Sequence, residues 1–184
     1  MFNPELRKQL IALARESLAW GLQNGSAKPV QLKNYPAELQ QQAACFVTLH
    51  ENNQLRGCIG SLQAQRPLVE DVSENAFAAG FRDPRFAPLQ ADELEQLKLS
   101  ISVLTPAQEM NFYSEQDLIS QLKPGTDGLI LQDGYHRATF LPSVWEQLPQ
   151  PQEFLNQLKL KAGLSTHYWS DNIRILRYHT ESFE

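Results

Sequence analysis

The 184-residue chain contains only two cysteines, Cys45 and Cys58. That is too few for a disulfide framework and fits a reducing compartment. No apolar run approaches the ~20 residues that a membrane-spanning helix requires. A basic excess is missing as well: 16 Lys and Arg stand against 21 Asp and Glu, a formal net charge of -5. A nonspecific nucleic-acid binder would need a basic face to release counterions. No cysteine–histidine set has zinc-finger spacing, and the four histidines (His50, His136, His167, His179) are scattered, so no metal site is read from the sequence. The N-terminal run Met1-Phe2-Asn3-Pro4-Glu5 leads into an amphipathic helix, not into a basic stretch followed by an apolar one. The expectation is a soluble, cytoplasmic protein with no membrane or nucleic-acid partner.

What is present is enough chain for one domain with a real core, or for one domain with a smaller appended lobe. Asn3 can cap a helix with Pro4 at its first position. Leu6, Leu10, Leu13, Ala14, Leu18 and Leu22 recur at helical spacing until Asn24-Gly25 stops them. The proline-interrupted stretch 26–43 reads as a loop with a short strand around residues 30–32. Two β-rich runs on either side of Asn52-Asn53 predict a hairpin with a two-residue turn of primed geometry. In an unbroken ladder His50 faces Leu55, Val47 faces Cys58 and Cys45 faces Gly60. Cys45, Val47, Leu49, Arg56 and Cys58 then share one face, and Phe46, Thr48, His50, Leu55 and Ile59 the other. Both faces are largely apolar, which predicts a sheet covered on both sides.

Pro67 opens a second helix to about Gly80, and residues 89–97 read as a short helix or turn. Residues 99–104 alternate as a half-buried strand, and Ser114 caps a helix over 115–122. A hairpin turning at Asp133-Gly134 follows, with a return strand over 135–141. Pro142 opens a short helix, a further helix runs from Pro151 to Gly163, and a last strand spans 173–178. Residues 45–80 and 129–162 both run strand, turn, strand, helix. A duplicated hairpin–helix unit would account for this, with Arg137 in the place of Arg56 and Thr139 in that of Cys58.

The most informative run is Leu55-Arg56-Gly57-Cys58-Ile59-Gly60. Residues i and i+2 of a strand share a face, so a guanidinium and a thiol point the same way. Gly57 and Gly60 leave room for a ligand or another backbone to approach. A thiol near a fixed positive charge gains thiolate character, which marks Cys58 as a candidate reactive or ligand-binding cysteine. The alternative is a small hydrophobe in a buried strand. Phe81-Arg82-Asp83-Pro84-Arg85-Phe86 sets two arginines and an aspartate between two aromatics, either facing a ligand or as a loop pinned by an Arg–Asp pair.

These residues carry a resemblance. The Leu55–Gly60 run and Asp83-Pro84-Arg85-Phe86, with Phe46-Val47-Thr48-Leu49, Ile101-Ser102-Val103-Leu104, Asp127-Gly128-Leu129, Phe140-Leu141-Pro142, Phe154-Leu155, Lys161-Ala162-Gly163-Leu164 and Phe183-Glu184, are similar to those of the AMMECR-type domain family, protein A of the AmmeMemoRadiSam system. The resemblance covers nearly the whole chain. It implies an α+β fold, a mainly antiparallel curved sheet with helices packed against it and a smaller lobe, as one AMMECR-type domain or two subdomains. It also implies partners, a Memo-like protein related to non-haem-iron dioxygenases and a radical SAM protein; it brings no settled molecular activity and leaves the cofactor unknown. Relatives more often carry a small residue where Cys45 stands, so a Cys45–Cys58 pair would not be a family feature. The two are diagonal in the unbroken register, about 7–8 Å apart, too far for a disulfide.

Two functions are carried forward. In the first, Cys58 is a nucleophile or covalent carrier, Arg56, Gly57 and Gly60 line a cleft for a small or anionic ligand, and Asp83, Arg85 and Arg137 complete it. His50 lies on the opposite hairpin face in this register and is a poor base. In the second, the protein is a non-catalytic adaptor in which Cys58 is structural and Arg56 pairs with an internal carboxylate such as Asp83. An RNA-binding role has little support, since the chain is acidic and lacks an RNP-type run.

Overall fold

The cap read at Asn3 is realised in the computed structural model, which describes residues 2–184. The Asn3 side chain accepts the Leu6 N–H at 2.9 Å, and Gly25 closes the helix in the left-handed conformation. In chain order the elements are α1 (Pro4–Asn24), β1 (Ala44–Glu51), β2 (Gln54–Gly60), α2 (Leu68–Phe81), β3 (Lys98–Leu104) and β4 (Gln108–Glu109). They continue with α3 (Glu115–Gln121), β5 (Gly128–Asp133), β6 (His136–Phe140), α4 (Pro151–Lys161), β7 (Arg174–Tyr178) and β8 (Thr180–Phe183). The fold is α+β with two four-stranded antiparallel sheets, ordered β2-β1-β3-β8 and β4-β7-β5-β6. The chain divides into two units, one reaching to Leu104 and including Glu181–Glu184, the other Thr105–Thr180.

In the first unit one sheet face is apolar and carries both helices. Cys45, Val47 and Leu49 of β1 and Leu99, Ile101 and Val103 of β3 are buried against Leu10, Leu13 and Leu18 of α1 and Val69, Val72 and Ala76 of α2. Each of the leucines, isoleucines and valines among them contributes roughly 1.5–3 kcal/mol by leaving water. One end of the hairpin is tied to α2 by a buried polar network. The Asp71 carboxylate accepts the Cys45 N–H at 2.9 Å, the Ser61 hydroxyl at 2.7 Å and the Asn75 amide at 2.9 Å, and pairs with Arg66 at 3.0 Å.

The second unit has its own core, in which Leu118, Leu129, Leu131, Phe154, Leu155, Leu158 and Ile175 are fully buried. Trp145 stacks on Phe154 with ring centroids 3.7 Å apart and donates its indole N–H to the Asp127 carbonyl at 2.7 Å. Lys159 is fully buried too, its ammonium donating to Glu115 at 2.6 Å and to the Thr166 carbonyl at 3.1 Å, near the face of Trp169.

Each unit holds a hairpin followed by a helix, the order that the internal symmetry predicts. The ladders differ, however, for β5 and β6 pair without interruption whereas β1 and β2 do not. Three local expectations are corrected, and two strands are added. Residues 30–32 form no strand, and a 3-10 turn covers Leu32–Asn34 instead. The segment after Pro142 is a 3-10 helix, Pro142–Glu146. The second hairpin turns at Gly134-Tyr135, one residue later than expected, with Gly134 at φ 58°. The short strands β4 and β8 carry no alternation long enough to read.

Candidate functional site

The hairpin that carries Cys58 starts as the sequence predicts. Asn52 and Asn53 both take positive φ, 50° and 62°, and the ladder begins Glu51 to Gln54 and His50 to Leu55. It then slips by one residue: Leu49 pairs with Gly57, Thr48 with Cys58, Val47 with Ile59 and Phe46 with Gly60. Arg56 is the extra residue of a β-bulge, and one extra residue exchanges the two faces for everything beyond it. The cause lies in the core. In an unbroken ladder Arg56 would point inward beside Leu49, a guanidinium buried under α2. The bulge turns Gly57 inward instead, and a Cβ on Gly57 would stand 2.2 Å from the Ala79 carbonyl oxygen of α2.

This corrects the facial assignment. Cys58 does not share a face with Cys45, Val47 and Leu49; it lies on the outer face with Phe46, Thr48 and His50, while Ile59 joins the core. The outer face is not largely apolar. Ser100 and Ser102 of β3 pair with Thr48 and Phe46 across it, and all of these residues are half-buried. Thr48 and Cys58 form a close pair, with the threonine Oγ1 3.3 Å from the Cys58 Sγ. His50, set aside in the unbroken register, is on the Cys58 face after all, two residues (about 7 Å) along β1 from Thr48. Both cysteines are free. Opposite faces, and not a diagonal spacing, keep them apart. Burial, followed by the Asp71 charge, pushes the Cys45 thiol well up from its ordinary pKa.

Arg56 does not pair with Asp83. It makes a two-pronged contact with Glu93, Nε to Oε1 at 2.6 Å and Nη2 to Oε2 at 3.0 Å, and also donates to the Ala87 carbonyl at 3.0 Å. Its side chain is 12% exposed and that of Glu93 20%. The Arg56 hydrogen bonds hold the Glu93 carboxyl below its ordinary pKa, against burial and with help from the Gln90 N–H. Asp83 pairs with Arg85 in the same forked way, Nε to Oδ1 at 2.9 Å and Nη2 to Oδ2 at 2.7 Å. The Asp83 side chain is 2% exposed, whereas Arg85 keeps 53% of its side chain in solvent. Asp83 also accepts the Cys58 N–H at 2.9 Å, and Arg85 donates to the Cys58 carbonyl at 3.3 Å. The pinned-loop reading of 81–86 therefore describes the Asp83–Arg85 pair.

Of the site residues expected from the sequence, Arg56, Gly57, Cys58, Gly60, Asp83 and Arg85 are gathered on or beside β2. Arg137 belongs to the second unit, exposed on β6 opposite Gln132. The close approach at the two glycines is by the protein's own atoms, Ala79 at Gly57 and the Phe46 ring at Gly60. The sequence reading missed Glu93, one of several acidic residues in a turn. It also missed Thr48, which only the shifted register brings to Cys58. Among the described residues no three His, Cys, Asp or Glu side chains gather as a metal-binding set, and no helix is long and apolar enough to cross a membrane.

Comparison with known proteins gives concordant results. The AMMECR1 family model matches residues 11–183. Protein MJ0810 of Methanocaldococcus jannaschii is 33% identical, over 86% of this chain and 81% of its own. Protein LS215_2104 of Saccharolobus islandicus is 37% identical, over 96% of this chain and 80% of its own. The crystal structure of the uncharacterized protein PH0010 from Pyrococcus horikoshii superimposes with a TM-score of 0.90 at 32% identity, covering 98% of this chain and 92% of that one.

Proposed function

The chain belongs to the AMMECR1 family, and from that premise we propose that it binds a small molecule on the outer face of the first sheet, with Cys58 as a reactive thiol. The observation that carries this reading is the setting of the sulfur: half-buried on a polar sheet face, 3.3 Å from the Thr48 hydroxyl, on main chain tied down at both its N–H and its C=O. Rigidly held groups on strands make more precise sites than groups on loops. Thr48 can donate to a thiolate, and His50 on the same face is the nearest candidate to take up the proton. Arg56 and Arg85 are each matched by a carboxylate, but Arg85 keeps 53% of its side chain in solvent against 12% for Arg56 and is the better placed cation for an anionic group on the ligand. The proposal includes action alongside a Memo-like protein and a radical SAM protein.

The test is alkylation of the folded protein with iodoacetamide, followed by peptide mapping. Cys58 is expected to react in the native state and Cys45 only after unfolding; labelling of Cys58 that also waits for unfolding overturns the reading. One observation favours a non-catalytic adaptor, namely that Arg56, Asp83 and Glu93 are all consumed by internal pairs. In that case a Cys58→Ala protein would still capture the two partners and leave pathway output unchanged.

A further inference from the structure

β2 is an edge strand. Exposed edges offer unpaired N–H and C=O groups, and proteins cover them by various devices. At Cys58 the main chain points its N–H and C=O away from β1, as in a non-hydrogen-bonded antiparallel pair, where facing side chains also come closest. That agrees with the short contact between Cys58 and Thr48. The outward N–H goes to Asp83 at 2.9 Å, and the outward C=O receives Arg85 at 3.3 Å. One acceptor and one donor, joined to each other by two charge-assisted bonds, thus take the two hydrogen bonds that a single residue of an adjacent strand would exchange. Asp83 Oδ1 also accepts the Arg85 N–H at 3.1 Å, so the pair is itself locked in a tight turn.

We propose that Asp83 and Arg85 are positioning residues for Cys58, a side-chain stand-in for the missing neighbour strand that also sets a balanced pair of charges beside the sulfur. The clamp rests on geometry alone; the charge balance rests on the reading of Cys58 as a working thiol. The Asp83 carboxylate and the Arg85 guanidinium both reach the main chain of Cys58 itself, at 2.9 and 3.3 Å, which sets one charge of each sign next to the residue that carries the sulfur. A negative and a positive charge act on a forming thiolate with opposite sign. A loop staple with no bearing on the sulfur would lack this opposition.

Two measurements on the full chain test the two halves separately. Amide hydrogen exchange at Cys58 is expected to be about tenfold faster in Asp83→Ala while the Val47 and Ile101 amides stay protected. Asp83→Asn, with its weaker acceptor, covers the case in which Asp83→Ala does not fold, with a smaller increase. Unchanged exchange at Cys58 overturns the clamp. For the charge balance, alkylation of Cys58 by iodoacetamide at neutral pH is expected to be about threefold faster in Asp83→Asn and about threefold slower in Arg85→Met, with Arg85→Lys near the wild-type rate. Movement of Asp83→Asn and Arg85→Met in the same direction, or of neither, overturns it. A wild-type thiol that is inert in the folded protein removes the proposed function and the charge balance together, and the exchange result still decides the clamp.

Discussion

Asp83 has a side chain almost closed to water, yet it is charged and satisfied on all sides by Arg85, the Cys58 N–H and the Arg85 N–H. These hold its carboxyl well below the usual carboxylate range, the Arg85 hydrogen bonds first, against the opposing effect of burial. Glu93 is lowered in the same direction by Arg56. A carboxylate with a lower pKa folded than unfolded stabilises the fold fully above its unfolded pKa, and that stabilisation drains as pH falls through the folded value. Denaturant unfolding of the wild type is therefore expected to lose stability steeply below about pH 4, by up to about 1.4 kcal/mol per pH unit for each group. Asp83→Asn should be less stable at neutral pH and show a shallower acid limb. Parallel limbs for the two proteins would refute the assignment. The Asp83–Arg85 pair was legible in the sequence as a pinned loop, but the partner of Arg56 was not. Glu93 is 37 residues from Arg56, in a turn where Asp92 and Glu95 are equally plausible on paper, and only the tertiary fold selects it.

Most boundaries among the elements were legible because they are set by local chemistry. Asn3, Ser114 and the prolines at helix starts, and the Asn52-Asn53 turn, all do what capping and turn preferences dictate. The register of β2 was not, because the bulge answers a demand from α2 that no window of β2 contains. Gly57 meets that demand. Gly57→Ala would drive a methyl into the Ala79 carbonyl, and because the obstacle is backbone, α2 or β2 must move. The expected loss is about 2 kcal/mol, read as a lower midpoint in thermal unfolding with Cys58 still out of the core. An Ala variant as stable as wild type would mean that the strand and helix separate easily.

At the scale of the whole molecule, the α+β fold of antiparallel sheet and helices that the family resemblance implied is present as two four-stranded sheets, each with its own core. Alternation and periodicity reveal strands and helices, whereas the sorting of strands into two sheets depends on long-range pairings such as β5 with β7. The second core contains the fully buried Lys159, held by Glu115, Thr166 and Trp169. Lys159→Met keeps the volume but leaves the Thr166 carbonyl without its donor and the 27% exposed Glu115 without its partner, at an expected cost of about 1–2 kcal/mol. Hydrogen exchange should show the loss at Leu129 and Leu131, with much smaller changes at Val47 and Ile101. Equal loss in both cores would mean that the chain opens as one cooperative block.

The bulge at Arg56 makes the facing of this segment depend on one residue being left out of the ladder. Removal of residue 56 would leave Gly57 opposite Leu49 and Cys58 opposite Thr48 in an unbroken ladder, whereas pairing Arg56 would move every residue from Gly57 to Gly60 to the other face. With Arg56 kept and paired opposite Leu49, the sulfur would turn into the core, Ile59 would turn out, and Asp83 and Arg85 would face a peptide group with its polar atoms reversed. A chain lacking Arg56 is therefore expected to keep Cys58 on the outer face and to lose the contacts with Glu93 and Ala87.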